Sequence, residues 1–330
     1  MKFPILDKFY QALDLINPYI NNTPIVSSNS FNKIFNLEIY FKLELMQKTG
    51  SFKARGAINK VLQLSEKERK KGVVAISAGN HAQATSWACS QFDIKSKIVM
   101  PYTASKSKIE ATKSYGGEVI LTKGNMMDKC ESIIKNEGLS FVHPFDDIDI
   151  ILGQGTTSLE VLNKIKDLDY AFISIGGGGL ISGMASVLKQ FNPKIKVIGV
   201  EPINSNVMTK SIISNKPELF DTFNNKTIAD TLAAPFAGKL TFEYVKEYVD
   251  DIINVSEEEM IESLRTIIER LKVVPEPAAS ACFVPILFNK IKIDPNSKCL
   301  VVVCGGNIDI KKIKQLFLKN FFLFFFQFFY

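Results

Sequence analysis

Short apolar and β-branched runs alternate along the chain with stretches in which apolar residues return every three or four positions. The runs predict strands, and the longer stretches predict helices. The predicted strands include Ile39–Leu43, Val73–Ser77, Lys97–Met100, Glu118–Leu121, Phe141–His143, Ala171–Ile175, Lys196–Val200 and Leu300–Cys304. The predicted helices include Lys53–Leu64, His81–Phe92, Thr156–Lys166 and Glu257–Leu271.

This alternation of strands and helices is typical of parallel sheets that are covered on both faces. Two such sheets in 330 residues predict an α/β fold with two open-sheet lobes and a cleft between them. Ligands of open α/β sheets bind beyond the carboxyl ends of the strands. The functional site is therefore expected where loops follow these strands.

Composition and charge exclude several classes of partner. A hydrophobic content of 46% and a charged content of 22% are those of a globular domain. The net charge of +6 comes from scattered lysines without a basic run or an aromatic-basic motif, so no nucleic-acid partner is expected. The two histidines, His81 and His143, lack metal-ligand spacing, so no metal site is expected.

The ends of the chain and the cysteines bear on location. The N terminus has no signal-peptide pattern, and the five dispersed cysteines fit a reducing compartment, so a cytoplasmic protein is expected. Residues 320–330 are almost entirely aromatic, but this segment is shorter than the roughly 20 residues that span a bilayer. We interpret it as a tail outside the core and expect no membrane partner. The alternative is a segment for dimer packing or for contact with a membrane surface.

Four consecutive glycines, Gly176 to Gly179, follow an apolar strand. Glycines let backbone N–H groups approach an anion, and the N terminus of the following helix adds partial positive charge. A dinucleotide fingerprint does not fit, because Ile181 or Ser182 stands where its third glycine is needed. A P-loop does not fit either, because Met184 replaces its lysine. An ordinary turn needs only one or two glycines, so the run predicts a monophosphate site.

Lys53 lies in the segment KTGSFKARGA, where Ser51 is a suitable N-cap and places the lysine in the first turn of a helix. A cation there opposes the helix macrodipole, which lowers the pKa of the amine. A lysine that binds a carbonyl cofactor covalently needs such a pKa. An isolated lysine is usually a solvated surface residue, but the neighbouring motifs favour catalysis here.

Two further loops follow predicted strands. The sequence from Ser77 to His81, SAGNH, offers a hydroxyl, a side-chain amide and backbone N–H groups that suit a carboxylate. Cys304 ends an apolar strand before two glycines and Asn307. Taken alone, the first motif also fits a capped turn and the second a buried packing cysteine. Together with Lys53 and the glycine run, they predict four motifs that meet in one cleft.

These motifs resemble those of the fold-type II pyridoxal-phosphate (PLP) enzymes, and among them the threonine/serine dehydratases in their short catabolic form. The resemblance extends from about Thr23 to about Asp309 and rests on KTGSFKARGA, SAGNHAQA, ILGQGTTSLEV, GGGGLISG, VIGVEP, VDDIINVSEEE and CGGNID. It implies an α/β fold with PLP in the cleft between two open-sheet lobes. We expect a large domain of residues 1–67 and 147–330, a small domain of residues 68–146 inserted in it, and a homo-oligomer (dimer or tetramer).

The resemblance also implies roles for individual residues. Lys53 would bind PLP covalently and take the α-proton of the substrate. The residues expected to contact the cofactor are Phe52, Lys53, Asn80, Gly176, Gly177, Gly178, Gly179, Leu180, Glu276 and Cys304. The residues expected to hold the substrate carboxylate are Ser77, Asn80 and His81. The implied reaction removes water and ammonia from L-threonine, and from L-serine, to give 2-oxobutanoate or pyruvate.

The chain departs from the family pattern at several positions. Serine racemases have a second catalytic serine after the position of Ser77, and here that residue is Ala78. Thr231 follows Asp230 where relatives usually have glycine, which would alter substrate choice. Some relatives have a divalent-metal site that would include Glu201, but Val207 lies near where another carboxylate is expected. We therefore expect no metal at this place.

Several other functions remain open on the sequence. A dehydratase of another β-hydroxy amino acid such as 3-hydroxyaspartate, a serine racemase and a β-replacement synthase would use the same cofactor. A non-enzymatic protein that binds a phosphate ligand is an alternative from another class. Ala78 disfavours racemisation, because alanine cannot transfer a proton.

Overall fold

The computed structural model describes residues 3–222 and 224–327, and from residue 319 onward it describes the backbone alone. In this part of the chain the strands β1 to β10 are Ile25–Ser27, Glu38–Lys42, Val73–Ile76, Ser96–Pro101, Glu118–Thr122, Ser140–Phe141, Tyr170–Ser174, Lys196–Pro202, Asp251–Val255 and Lys298–Val302. The helices α1 to α15 are Leu6–Ile16, Asn29–Phe35, Lys53–Gln63, Glu66–Lys71, Asn80–Ser90, Lys106–Ser114, Met126–Glu137, Ile148–Lys164, Gly179–Phe191, Val207–Ser214, Lys239–Tyr248, Glu257–Leu271, Pro277–Ser280, Val284–Leu287 and Ile310–Gln327.

The described strands form two sheets. The larger has the order β1-β2-β10-β7-β8-β9, in which β1 is antiparallel to β2 and the other neighbours are parallel. The smaller has the order β5-β4-β3-β6 and is parallel throughout. The predicted α/β fold with two open sheets is therefore confirmed. The smaller sheet lies inside the segment 68–146, although the domain boundaries themselves stay predictions.

All the predicted strands are present within a few residues of their expected bounds, whereas β1 and β9 were not predicted. Both are edge strands of the larger sheet, and their mixed exposure hides the apolar run that marks a central strand. The predicted helix Thr156–Lys166 is the second half of α8, which begins at Ile148. Asp147 caps this helix by accepting hydrogen bonds from the N–H groups of Asp149 and Ile150.

Three helices pack closely together, and two of them begin at predicted motifs, Lys53 and the glycine run. Helix α8 contacts both α3, which begins at Lys53, and α9, which follows the glycine run. A Cβ atom on Gly183 of α9 would lie 2.3 Å from the carbonyl oxygen of Ile151 in α8. Only glycine permits this approach, because no real Cβ comes so close to a backbone atom.

A buried cluster of charges anchors α3 just beyond Lys53. Arg55 donates hydrogen bonds to Glu44 at 2.8 Å and to Glu160 at 2.7 Å, and Lys42 also contacts Glu160. All four side chains are buried, and buried charges are tolerated only when they are paired in this way. The cluster ties α3 to strand β2 and to helix α8, so it fixes the segment that presents Lys53.

The C-terminal segment forms helix α15 as far as Gln327. Among the described residues, no helix has the length and the apolar character that a transmembrane span requires. Residues 328–330 and all side chains from residue 319 lie outside the described residues. The interpretation of residues 320–330 as a tail therefore stays a prediction.

Candidate active site

The four predicted motifs meet at the carboxyl ends of the strands. Ser77 to Gly79 connect β3 to α5, and the glycine run connects β7 to α9. The backbone N–H of Phe52 donates to the carbonyl oxygen of Cys304 at 3.0 Å, so the segment before Lys53 lies directly on the loop after β10. A Cβ on Gly305 would meet both Asn80 and Glu276. The structure thus joins residues that are more than 200 positions apart.

The amine of Lys53 lies in a partly buried position without a carboxylate partner. Its Nζ donates a hydrogen bond to the carbonyl oxygen of Pro144 at 2.6 Å and lies 5.2 Å from the centroid of the Phe52 ring. Among the described residues, Lys53 forms no salt bridge. Burial lowers the pKa of Lys53 to about 8, although Cys304 and Glu276 act in the opposite direction. A useful fraction of the amine is therefore neutral near physiological pH.

The cause of the lowered pKa differs in part from the sequence prediction. We expected Ser51 to cap the helix and the macrodipole to act on Lys53. Instead, α3 has Phe52 at its N-cap without a side-chain hydrogen bond, and Ser51 pairs with Gly305 in an isolated β-bridge. Desolvation is the largest cause of the shift. The direction was predicted correctly, but the N-cap was wrong because the pairing partner of Ser51 is remote in sequence.

The glycine run forms a tight turn before α9. Gly178 has φ +93°, and Gly179 begins the helix. A Cβ on Gly177 would lie 2.2 Å from the ring of Phe145, and one on Gly178 would lie 2.9 Å from Cβ of Thr241. The Thr241 hydroxyl donates to the carbonyl oxygen of Gly177 at 2.7 Å. The first N–H groups of a helix have no acceptor within it, so this turn offers donors to an anion.

Two residues that support this turn were not found from the sequence. Phe145 packs against Gly177 and Gly179, and Asp146 accepts hydrogen bonds from the N–H groups of Leu240 and Thr241 at 2.8 and 3.1 Å. These contacts hold the start of α11 against the glycine turn. No local pattern marks such residues, because their partners lie elsewhere in the chain.

Asn80 is held by its neighbours on both sides. Its Nδ2 donates to Oε1 of Glu276 at 2.8 Å, and its Oδ1 accepts from Nδ2 of Asn307 at 2.8 Å. Asn307 also donates to the carbonyl oxygen of Thr49 at 2.7 Å. An amide nitrogen has two hydrogens, and Glu276 uses one of them. The second N–H of Asn80 is left for a ligand oxygen.

Glu276 is a buried carboxyl group, only 3% exposed. Its Oε1 accepts from Asn80 and, at 3.2 Å, from the hydroxyl of Thr231. Its Oε2 has no hydrogen-bond partner among the described residues. Burial, together with the negative charge of Asp230, raises the pKa of Glu276 to about 7. This carboxyl group is therefore part protonated near neutral pH.

The loop from Ser77 to His81 has a defined shape. The hydroxyl of Ser77 accepts from the N–H of Gly79 at 3.0 Å. The imidazole of His81 already has a partner in the protein, because its Nε2 lies 2.9 Å from the carbonyl oxygen of Val142. Burial and the nearby charge of Lys53 lower the pKa of His81 to about 3, so the ring is neutral. The groups suited to a carboxylate are therefore the first N–H groups of α5, and the imidazole has a structural partner.

The thiol of Cys304 is 2% exposed and lies 3.6 Å from the hydroxyl of Ser174. Ser174 also contacts the thiol of Cys282 at 2.9 Å and donates to the carbonyl oxygen of Ala278 at 2.9 Å. Burial, together with Cys282 and Glu276, raises the pKa of Cys304 well above its ordinary value, although the hydrogen bond with Ser174 acts in the opposite direction. Cys304 is therefore a neutral thiol. Ser174 and Cys282 were not found from the sequence.

The mouth of the site is a cavity of about 350 Å³ between the two sheets' loops. Lys108 of α6 forms a salt bridge to Asp230 at 2.8 Å. Ser107 of the same helix donates to Asp309 at 2.9 Å. These contacts join the part of the chain with the smaller sheet to loops of the larger one.

The donor set of the cleft fits PLP. An amine with a lowered pKa suits the aldehyde of the cofactor, and the glycine turn at the start of a 13-residue helix suits its phosphate. The spare N–H of Asn80 suits a phenolic oxygen, and the neutral thiol of Cys304 suits an unprotonated pyridine nitrogen. No group in this set opposes the cofactor's charges at these positions.

The side chain of Glu201 contacts the start of helix α10. Its carboxylate accepts hydrogen bonds from the N–H groups of Met208 and Thr209 at 2.9 and 2.8 Å. It therefore satisfies the first turn of α10. Within the described ranges, no group of three or more histidine, cysteine, aspartate or glutamate side chains could hold a metal ion.

Comparison with known proteins agrees with this geometry. The profile of the family described as "Pyridoxal-phosphate dependent enzyme" matches residues 16–305. The catabolic L-threonine dehydratase of Escherichia coli is 41% identical over 315 residues, which cover 94% of this chain and 95% of the relative. The serine racemase of Schizosaccharomyces pombe is 39% identical over 312 residues, which cover 94% and 96%. The solved serine racemase of Dictyostelium discoideum superimposes with a TM-score of 0.87 at 35% identity and covers 93% of this chain and 99% of that one. The chain belongs to the family of pyridoxal-phosphate dependent enzymes.

Proposed function

We propose that this protein is a PLP-dependent ammonia-lyase that converts L-threonine and L-serine to 2-oxobutanoate and pyruvate with release of ammonia. The observation that carries the proposal is that one site contains both the amine of Lys53, which has no carboxylate partner and a pKa of about 8, and the neutral buried thiol of Cys304. Lys53 supplies a base, and a neutral Cys304 beside the pyridine nitrogen of PLP would not keep that nitrogen protonated. Relatives named as threonine dehydratases support the same reaction.

The residues of the site have separate roles in binding the cofactor and in moving the α-proton. PLP, when bound, supplies the electron-withdrawing ring that makes the α-proton of an amino acid acidic. The glycine turn with Leu180 would hold the phosphate, Asn80 would hold the phenolic oxygen, and Phe52 would flank the ring. The amine of Lys53 takes the α-proton as general base.

The substrate is oriented by the loop before α5. We propose that the hydroxyl of Ser77 and the backbone N–H groups of Asn80 and His81 hold its carboxylate, while the imidazole of His81 stays bonded to Val142. The β-hydroxyl would lie on the side of the glycine turn, whose residues would hold the cofactor phosphate; that group could supply the proton with which the hydroxyl leaves as water.

The reaction is tested by incubating the holoenzyme with L-threonine, L-serine, L-threo-3-hydroxyaspartate and O-acetyl-L-serine plus sulfide. We expect equal amounts of 2-oxo acid and ammonia from the first two, because Cys304 favours elimination over other fates of the substrate. Coupled dehydrogenase assays for both products measure the outcome. Cysteine as the main product would instead indicate a β-replacement synthase, and turnover of 3-hydroxyaspartate alone would identify a different dehydratase.

Ala78 determines a second expected result. Racemisation needs a proton donor on the face opposite Lys53, and Ala78 has no ionisable group. His81 does not substitute, because its ring is neutral and bonded to Val142. We therefore expect L-serine to give pyruvate with D-serine below about one hundredth of that rate. Chiral chromatography measures both, and Ala78→Ser should raise the D-serine fraction. D-serine formed as fast as pyruvate by the unmodified protein would contradict this expectation.

Location and assembly are further proposals. All five cysteines are unpaired and buried, which supports a reducing compartment such as the cytoplasm. Several large apolar side chains are exposed, with Leu219 at 83% and Ile213 at 80%. We propose a homo-oligomer, a dimer or a tetramer, in which side chains of this kind become buried. Light scattering on the purified protein would measure its mass, and a monomer at micromolar concentration would contradict this proposal.

A further inference from the structure

Thr231 lies between the two ligand-binding loops. It belongs to the short turn Asp230–Leu232 and is partly buried. A Cβ on Gly79 would lie 3.5 Å from the methyl carbon of Thr231. A Cβ on Gly176 would lie 3.4 Å from the carbonyl oxygen of Thr231. Thr231 therefore bridges the loop before α5 and the glycine turn before α9.

Both branches of the Thr231 side chain are fixed. Its hydroxyl donates to Oε1 of Glu276 at 3.2 Å, which leaves the methyl group directed at Gly79. A β-branched side chain has only the χ1 angle to change, so one hydrogen bond sets both positions. The methyl group is thus held at a fixed position beside Gly79, in the loop before α5.

The turn that carries Thr231 is held on both sides. The carboxylate of Asp230 forms salt bridges to Lys108 at 2.8 Å and to Lys312 at 3.3 Å. The carbonyl oxygen of Leu232 accepts from the hydroxyl of Ser205 at 3.2 Å. These contacts oppose any movement of the turn away from a bulkier ligand.

In the proposed function, the β-carbon of the substrate lies in the space between the loop before α5 and the glycine turn before α9. In the proposed function, the carboxylate binds the first N–H groups of α5, and the departing hydroxyl faces the phosphate at the glycine turn. The β-carbon is one bond from the α-carbon and carries that hydroxyl, so it lies between the two loops. Thr231 lies in this same space between the two loops.

We propose that Thr231 is a specificity-determining residue whose methyl group limits the space at the substrate's β-carbon and selects L-serine over L-threonine. The proposal rests on the ammonia-lyase function proposed above. The two substrates differ by one methyl group on the β-carbon, and a pocket that rejects one methylene discriminates by about 10- to 200-fold.

Two variants separate the methyl group from the hydroxyl. Thr231→Ser removes the methyl and keeps the donor to Glu276, whereas Thr231→Val keeps the volume and removes the donor. We expect Thr231→Ser to raise the ratio of kcat/KM for L-threonine to that for L-serine by at least about 10-fold. Thr231→Val should leave this ratio within about 3-fold of the unmodified holoenzyme, because its second methyl replaces the hydroxyl and the first is unchanged.

A binding measurement makes the test independent of turnover. L-Alanine and L-2-aminobutyrate lack a leaving group and differ by the same methyl carbon, so their dissociation constants are read from the absorbance change of the bound cofactor. Thr231→Ser should improve the relative binding of L-2-aminobutyrate by about 10-fold. An unchanged ratio in Thr231→Ser, or an equal change in Thr231→Val, would overturn the assignment. If neither hydroxy amino acid yields 2-oxo acid, the proposed function fails, and the two binding ratios still decide the role of Thr231.

Discussion

Replacement of Lys53 by alanine is expected to reduce turnover of L-threonine and L-serine by at least about 10³-fold, because a general base contributes 10²- to 10⁴-fold by itself. The variant also loses the covalent attachment of the cofactor. Reduction of the unmodified holoenzyme with borohydride should trap PLP on the peptide that contains Lys53, as mass spectrometry would show. The Lys53→Ala protein should bind PLP only reversibly.

Lys48 provides the control for this experiment. It lies in the same segment but is exposed to solvent. Lys48→Ala should keep the trapped cofactor and the activity, since this side chain is exposed to solvent. A label on another lysine after borohydride reduction, or activity within 10-fold in Lys53→Ala, would show that Lys53 is not the cofactor lysine.

Gly178→Asp is expected to weaken PLP binding by about 10³-fold relative to Gly178→Asn. Both variants place a Cβ 2.9 Å from atoms of Thr241 and Met208 and impose a side chain on φ +93°, so they share the steric cost. Asparagine tolerates this backbone region better than most residues. The variants differ by one negative charge, and repulsion by the phosphate at about 4 Å amounts to about 4 kcal/mol at an effective dielectric constant of 20.

Titration of each apoprotein with PLP, followed by fluorescence, measures the two dissociation constants. The comparison isolates the anion because shape and volume are nearly equal in the pair. Equal constants for Gly178→Asp and Gly178→Asn would mean that the phosphate binds elsewhere and that the glycine run serves only as a turn. Circular dichroism of both apoproteins checks that the fold is kept.

The predictions that held are those in which a local requirement dictates the residue type. A buried parallel strand needs a continuous apolar run, so the central strands were predicted within a few residues. A turn with φ +93° needs glycine, so the run of glycines in the sequence predicted where this turn lies. The family of the chain followed from several such motifs together and is confirmed by the match over residues 16–305.

The predictions that failed depend on partners far along the chain. Ser51 pairs with Gly305 instead of capping α3. The contact of His81 with a substrate carboxylate stays a prediction, and its imidazole bonds to Val142, 61 positions away. Helix α8 begins at Ile148, before the predicted start at Thr156, and its Gly153 and Gly155 lie in close contact with α3 and α9. Propensity within a segment carries no information about these contacts.

The sequence by itself thus determined which chemical groups the protein has: a lysine in a helix-opening motif, a glycine run for an anion, and alanine at the position where a second proton donor would be needed. Tertiary structure alone decided how these groups behave. Burial sets the pKa of Lys53 at about 8 and that of Glu276 at about 7, and the Glu276 hydrogen bond directs the methyl of Thr231. Both effects arise from desolvation and from contacts between remote segments, which exist only once the two sheets face each other across the cleft.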